Sequence, residues 1–392
     1  MIDPNELEAA ITKYESYVKA DPQNAMLWLA LGDYYHRAGR FEQALASFEH
    51  SLKESPDLVA ARSRIALVYI SQHRFAEATT LLRELLASAP DDASLCYNLG
   101  LALFYQQQWS EAEQQFSHAL VLGLRTHDNL AYLSRCLHYL GKTREAIEFC
   151  SLWMADARDD ISQAYLALLE MDDGNMPRAR ELADQVLTRD PDNVDAGIVV
   201  GTASVEQQEM ATAEKLFANI LRHQPENPRA WLGLGMIYLY QQKHSESIAA
   251  LDKANRLMPD NSGTLVALGW AHLAARNVRG AEQTFRRALE VDHNFGEAHG
   301  GLASALALQG RVDEARESTR VAHRLNPANF GGHFANTVML SLQGKTELAT
   351  RRLAELLQQA PAPDAPSLLE HLRLYGIKHT QPPMGTPDVP RQ

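Results

Sequence analysis

Cysteine is scarce: three in 392 residues, Cys96, Cys136 and Cys150, with no close-spaced pair. That argues against a disulfide framework, and the three read as reduced core thiols of a cytosolic protein. No apolar run approaches the length needed to span a bilayer. The opening MIDPNELEAA is polar and acidic, without a basic start and an apolar stretch, so no signal peptide is expected. Basic residues are in deficit, 37 against 49 acidic, for a net charge of −12. A binder of nucleic-acid backbones would want a basic stripe instead. The fifteen histidines contain no His-Glu-x-x-His and no pairing with cysteine at zinc spacing. Gly233-Leu234-Gly235 follows no strand and is not a phosphate loop, and Ser151 and Asp156 near Cys150 form no nucleophile group. No catalytic residue, cofactor or metal is therefore expected.

What the chain does have is a period. Residues 25–58 read AMLWLALGDYYHRAGRFEQALASFEHSLKESPDL. Trp28, Leu31 and Tyr35 are spaced by three and four, which lines one face of a helix. Phe41, Leu45 and Phe48 give a second helix its own stripe. Gly32 and Ala44 are small enough to let the two helices cross closely. Gly39 stands where the first helix must stop, in a conformation that glycine accepts. Pro56 closes the unit, because proline cannot continue a helix. One such hairpin cannot bury its apolar face alone, so stacked neighbours must supply the missing surface.

The pattern W-x2-L-G-x2-Y, then A-x3-F, then P, at 34 residues, resembles the tetratricopeptide repeat (TPR). It recurs at 59–92, 93–126, 127–159, 160–193, 194–227, 228–261, 262–295, 296–329 and 330–363. The resemblance implies an all-α, right-handed α-solenoid of ten helix-turn-helix repeats. Residues 1–24 read as a half-repeat that caps the stack, and 364–377 as a capping helix. Residues 378–392, with Pro382, Pro383, Pro387 and Pro390, read as a disordered tail. The unit at 127–159 is one residue short, and the closing prolines of the preceding unit and of this one are replaced by Leu124 and Arg158. Two readings of residues 156–162 stand: a joint that splits repeats 1–4 (25–159) from repeats 5–10 (160–363), or a continuous, slightly retwisted stack. Gly300-Gly301 and Gly331-Gly332 lie early in first helices, which marks repeats nine and ten as the expected softer end.

In this family the first helices line a concave groove. The resemblance implies that positions two, five, nine, twelve and thirteen of each repeat face it. The candidate contact residues are then Leu67, Tyr97, Leu101, Phe104, Tyr105 and Tyr139, followed by Leu232, Met236, Leu239, Tyr240, Trp270 and Phe334. Position nine is usually polar in the family, yet here it holds Leu67, Leu101, Met236 and Trp270. Large apolar surface left in water marks interaction sites, and methionine beside leucine and tryptophan suits an adaptable one. The expected partner is an apolar or amphipathic segment of another protein. Self-packing in a tight superhelix, or a C-terminal helix folded back over the groove, is the alternative account of the apolar face. Asn98 alone matches a clamp for chaperone-tail carboxylates, so that subtype is not expected. The expected function is a cytoplasmic, non-catalytic scaffold or adaptor, with bacterial assembly, secretion or chaperoning as settings by family analogy. Its rivals are a regulatory or targeting subunit of an enzyme complex and a self-associating assembly protein.

Overall fold

A computed structural model describes residues 4–157, 159–259 and 261–358. Its helices start at the expected 34-residue spacing. A lone helix, α1 (Pro4–Ala20), comes first. First and second helices then alternate as α2 (Ala25–Arg37) and α3 (Phe41–Glu54), α4 (Val59–Ser71) and α5 (Phe75–Ser88), α6 (Ala93–Tyr105) and α7 (Trp109–Val121), α8 (His127–Tyr139) and α9 (Thr143–Ala157), and α10 (Asp160–Asp172) and α11 (Met176–Arg189). The series continues with α12 (Val194–Glu206) and α13 (Met210–His223), α14 (Pro228–Tyr240) and α15 (His244–Leu257), α16 (Ser262–Ala274) and α17 (Val278–Val291), α18 (Gly296–Leu308) and α19 (Val312–Leu325), and α20 (Phe330–Leu342) and α21 (Thr346–Gln358). The fold class is all-α, a solenoid of helix hairpins, with no strand among the described residues. The expected capping helix at 364–377 and the tail at 378–392 lie outside the described residues.

Local chemistry explains the phasing. Most first helices are preceded by a side chain that caps them: Asn24, Asp92, Thr126, Asp159, Asn193, Asn227, Asn261 and Asn329 each accept from the exposed amides of the first turn. The hairpin turn passes through a left-handed residue at position fifteen of every repeat. Gly39, Gly141, Gly174, Gly310 and Gly344 hold it in five repeats, and His73, Gln107, Gln208, Gln242 and Arg276 in the other five.

Inside five of the ten hairpins, those of Gly32, Gly100, Gly201, Gly235 and Gly269, the crossing rests on a size match. A side chain at position twenty-four fills the space over a glycine at position eight. A Cβ on Gly100 would stand 2.7 Å from the Phe116 ring, and one on Gly201 2.8 Å from Phe217. Phe48, Phe116, Phe217 and Phe285 are fully buried in this way, as are the small residues at position twenty, such as Ala44, Ala112 and Ser247. A second device ties the first helix to the turn before it. The Trp28 and Trp231 indoles donate to the Pro22 and Pro225 carbonyls, both at 2.8 Å, and His333 Nε2 to Pro327 O at 2.9 Å.

The chain divides into two compact units, Met1–Ala179 and Arg180–Gln392. The boundary between them falls inside α11. The α9–α10 turn is held by its own bonds. Asp159 caps α10 as asparagines cap the other first helices, and the Cys150 thiol donates to Ser162 O at 3.6 Å across the turn. In the N-terminal unit, α1 buries Ile11 and Val18, and Tyr35 donates to Glu15 at 2.6 Å.

Repeats nine and ten carry the four glycines expected to mark a softer end. Gly300, Gly301, Gly331 and Gly332 are all buried. A Cβ on Gly331 would fall on the carbonyl carbon of Gly300, and one on Gly301 would fall in the Phe285 ring. Ser304 then bridges the two first helices, donating to Gly331 O at 2.9 Å. Gly300 and Gly331 serve close packing of α18 on α20, while Gly301 makes room for Phe285 of α17 and Gly332 for His323 of α19.

Candidate protein-binding surface

In the N-terminal unit, aromatic residues from three consecutive repeats form one strip. It begins at Phe75, the first residue of α5, whose ring stacks on Tyr105 at the end of α6, centroids 5.2 Å apart and planes at 11°. Phe104 meets Trp109 at 5.1 Å and Tyr132 at 5.0 Å, both edge-on. Trp109 in turn stacks on Tyr139 at the end of α8, at 4.5 Å and 26°. Tyr105 and Tyr132 join their hydroxyls at 3.0 Å. Tyr105 remains 47% exposed and Tyr139 58% exposed, the largest aromatic exposures among the described residues.

Electrostatics keep this strip neutral. Burial pushes the Tyr97 hydroxyl well above the ordinary phenol range, aided by the Asp128 carboxylate. Burial, then the hydrogen bond with Tyr105, pushes Tyr132 up to about 12. Both stay protonated at neutral pH and can donate to a ligand carbonyl. The strip ends at polar links in the same register. On one side His36 Nε2 meets Ser71 Oγ at 2.8 Å; on the other, His138 lies between the Tyr165 hydroxyl at 3.0 Å and Asp172 at 2.8 Å. Arg135 covers the Tyr165 and Trp153 rings, 5.0 and 5.2 Å from their centroids.

The sequence-based residues therefore separate. Leu67, Tyr97, Leu101 and Phe104 are half-buried, and Tyr105 and Tyr139 are exposed. The structure brings Tyr97, Phe104, Tyr105 and Tyr139 into the strip through ring contacts. Phe75, Trp109 and Tyr132 belong to it too and were missed. The available signal was an aromatic at position seventeen in successive repeats, Phe41, Phe75 and Trp109.

In the C-terminal unit the same positions are largely filled from within. Leu239 is 1% exposed and packs with Leu251, Leu268 and Ala271, while Phe334 is 8% exposed and packs with Leu356. Neither presents a surface, because position twelve of α14 and position five of α20 turn toward neighbouring helices. Trp270 is half-buried against the Phe285-centred core, with Phe285 at 5.7 Å and Phe330 at 5.4 Å. Leu232 packs beside Leu239, and Met236 is half-buried. Tyr240 is half-buried, and burial with the Glu206 charge raises its hydroxyl pKa.

One cavity of about 460 Å³ lies between α19, α20 and α21, lined among others by His323, His333, Arg316 and Arg352. Both arginines are already paired, Arg316 with Asp313 at 2.9 Å and Arg352 with Glu355 at 3.1 Å. Among the described residues no group of three or more His, Cys, Asp or Glu could hold a metal ion, and no helix is long and apolar enough to cross a membrane.

Comparison with known proteins agrees with the repeat architecture. Two family models described as "Tetratricopeptide repeat" match, one over residues 35–99 and the other over residues 5–59, 198–262 and 266–330. Together they span more than half of the chain. No curated protein matches. Among solved structures, one titled "MamA RS-1 ArsTM double mutant" is 21% identical, covering 39% of this chain and 86% of its own, with a TM-score of 0.36. Helix phasing, glycine–phenylalanine crossings and the matched residues agree on one conclusion: the chain belongs to the tetratricopeptide repeat family.

Proposed function

We propose that this protein is a non-catalytic scaffold that holds a segment of a partner polypeptide against the aromatic strip of its N-terminal unit. The observation that carries the reading is the pairing of Tyr105 and Tyr139. Each is backed by a ring from the preceding repeat and still open to water. Exposed aromatic surface is costly to keep in solvent and marks binding sites. Rings already fixed by stacking lose little freedom when a ligand arrives. Partner binding is what tetratricopeptide repeats generally do, which supports the same reading. Three buried cysteine thiols support a cytoplasmic setting.

The test is a paired capture. Immobilised wild type and a Tyr105→Ala/Tyr139→Ala variant are exposed to the same extract, and retained polypeptides are identified by mass spectrometry. A polypeptide held at fixed ratio by wild type and lost from the variant is the expected result. Identical sets from both proteins would place the binding face elsewhere.

A further inference from the structure

We propose that the strip's ligand is a proline-rich segment, namely residues 382–390 of a second copy of this chain. The inference rests on the scaffold reading above and names its partner. Three observations meet here. First, grooves lined by aromatic rings are what polyproline II segments dock into, since each proline ring lies flat on an aromatic face and the helix is stiff before it binds. The strip offers two such faces, on Tyr105 and Tyr139, each with its other side occupied, by Phe75 and Trp109 respectively.

Second, the spacing agrees. Tyr105 and Tyr139 occupy the same position in consecutive repeats, on α6 and α8, which contact one another. Packed helices stand about 8–10 Å apart. A polyproline II helix advances about 9 Å in three residues and returns to the same side. Pro387 and Pro390 are three residues apart. One turn of that segment thus matches one step of the repeat.

Third, the charges agree. Residues 381–391, QPPMGTPDVPR, carry one acid, Asp388, and one base, Arg391. That neutral segment faces a strip whose tyrosine hydroxyls can donate to its carbonyls, which proline leaves without competing amides. The linking residues 359–381 number 23, a reach of up to about 80 Å when extended. That is ample for one copy to engage another.

The experiment uses the full chain with Pro382, Pro383, Pro387 and Pro390 replaced by alanine, so that its own segment does not compete. A synthetic peptide of residues 381–391 is titrated into it by calorimetry. Binding at about 10–100 µM is expected. A further Tyr105→Ala/Tyr139→Ala change should weaken it at least tenfold, whereas Tyr240→Ala in the C-terminal unit should change it less than twofold. Circular dichroism and the melting temperature confirm that the variants are folded. The unsubstituted chain should gain weight-average mass with concentration in sedimentation equilibrium, and the proline-to-alanine chain should stay monomeric. Absent peptide binding, binding indifferent to the tyrosines, or a constant mass would each overturn the proposal. A proline-free amphipathic Leu/Lys peptide separates the two layers. If it alone binds, and binds through Tyr105 and Tyr139, the proline assignment falls and the scaffold reading survives. If neither peptide binds, both fall.

Discussion

Trp109 and Tyr139 lie face to face, ring centroids 4.5 Å apart and planes at 26°. One residue opens the second helix of repeat three; the other closes the first helix of repeat four. Phe75 and Tyr105 repeat the relationship one unit earlier, at 5.2 Å and 11°. The strip is therefore a product of the repeat itself, position seventeen of one hairpin stacking on position thirteen of the next. It stops where Ser71 and Asp172 take the tyrosine's place and bond to His36 and His138 instead.

The stacking should be measurable as a coupling. Aromatic pairs contribute about 0.5–1.5 kcal/mol beyond the area they bury. Trp109→Ala, Tyr139→Ala and the double variant, compared by urea unfolding, should give an interaction energy in that range. A coupling near zero would mean the two rings sit together without holding each other.

The turn residues predict stabilising substitutions. Gln107 and Gln208 both have φ of 61°, in the left-handed region, where a side chain costs roughly 1–2 kcal/mol. Gly39 and Gly141 hold the same position at φ 71° and 73° with nothing within 4 Å of a would-be Cβ. Gln208→Gly should therefore raise stability by about 0.5–1 kcal/mol, the gain being reduced by glycine's extra freedom in the unfolded chain. Thermal melts of Gln107→Gly, Gln208→Gly and the pair check it; a fall in melting temperature would contradict it.

The helix starts were legible in the sequence because each depends on short-range chemistry. The cap at Asn24, the turn at Gly39 and the crossing of Gly32 under Phe48 all sit within one repeat of 34 residues. The candidate binding face was legible only in part, because exposure at a fixed position depends on the neighbours packed against it from other helices. Tyr139 is stacked on Trp109 and 58% exposed. Trp270, at an equally plausible position, is half-buried between Phe285 of its own repeat and Phe330 two repeats on. Position seventeen escaped notice because the family frame assigns the groove to first helices alone.

Gly331 reverses the usual rule for helices. In an exposed helix, Gly→Ala gains about 1 kcal/mol. Here the added Cβ would meet the Gly300 backbone, which cannot rotate away as a side chain could. Gly331→Ala should thus destabilise the C-terminal unit by about 2 kcal/mol or more, as overpacking does. The check is urea unfolding against wild type, and an unchanged or higher midpoint would show that α18 and α20 can separate at little cost.

Glu282 carries a pH dependence whose sign can be worked out. Burial would raise its pKa, but hydrogen bonds from Gln309, Arg286 and Arg311, each at 2.8 Å, outweigh that and hold the carboxyl at about 2. A carboxyl lowered below its unfolded value of about 4.3 stabilises the folded state above that pH and loses the contribution as pH falls toward the folded value. Glu282→Gln should cost about 1–3 kcal/mol at pH 7. The gap to wild type should narrow between pH 4.5 and 2. Urea midpoints across that range test it, and a gap independent of pH would mean the ion pairs with Arg286 and Arg311 contribute nothing.

Two glutamate substitutions distinguish wall from surface. Trp270 is half-buried against the buried Phe285 and touches Phe330, so Trp270→Glu would set a charge against apolar rings. A charge placed so costs several kcal/mol, and the variant should lose helical signal and melt early. Tyr139 is 58% exposed, and a glutamate there reaches water directly. Tyr139→Glu should leave the circular dichroism spectrum within error of wild type, lose about 1 kcal/mol of stacking with Trp109, and reduce ligand capture sharply. If the outcomes were exchanged, with Trp270→Glu folded and unable to bind and Tyr139→Glu folded and fully active, the binding face would lie in the C-terminal unit and the aromatic strip would serve only to lock repeats three and four together.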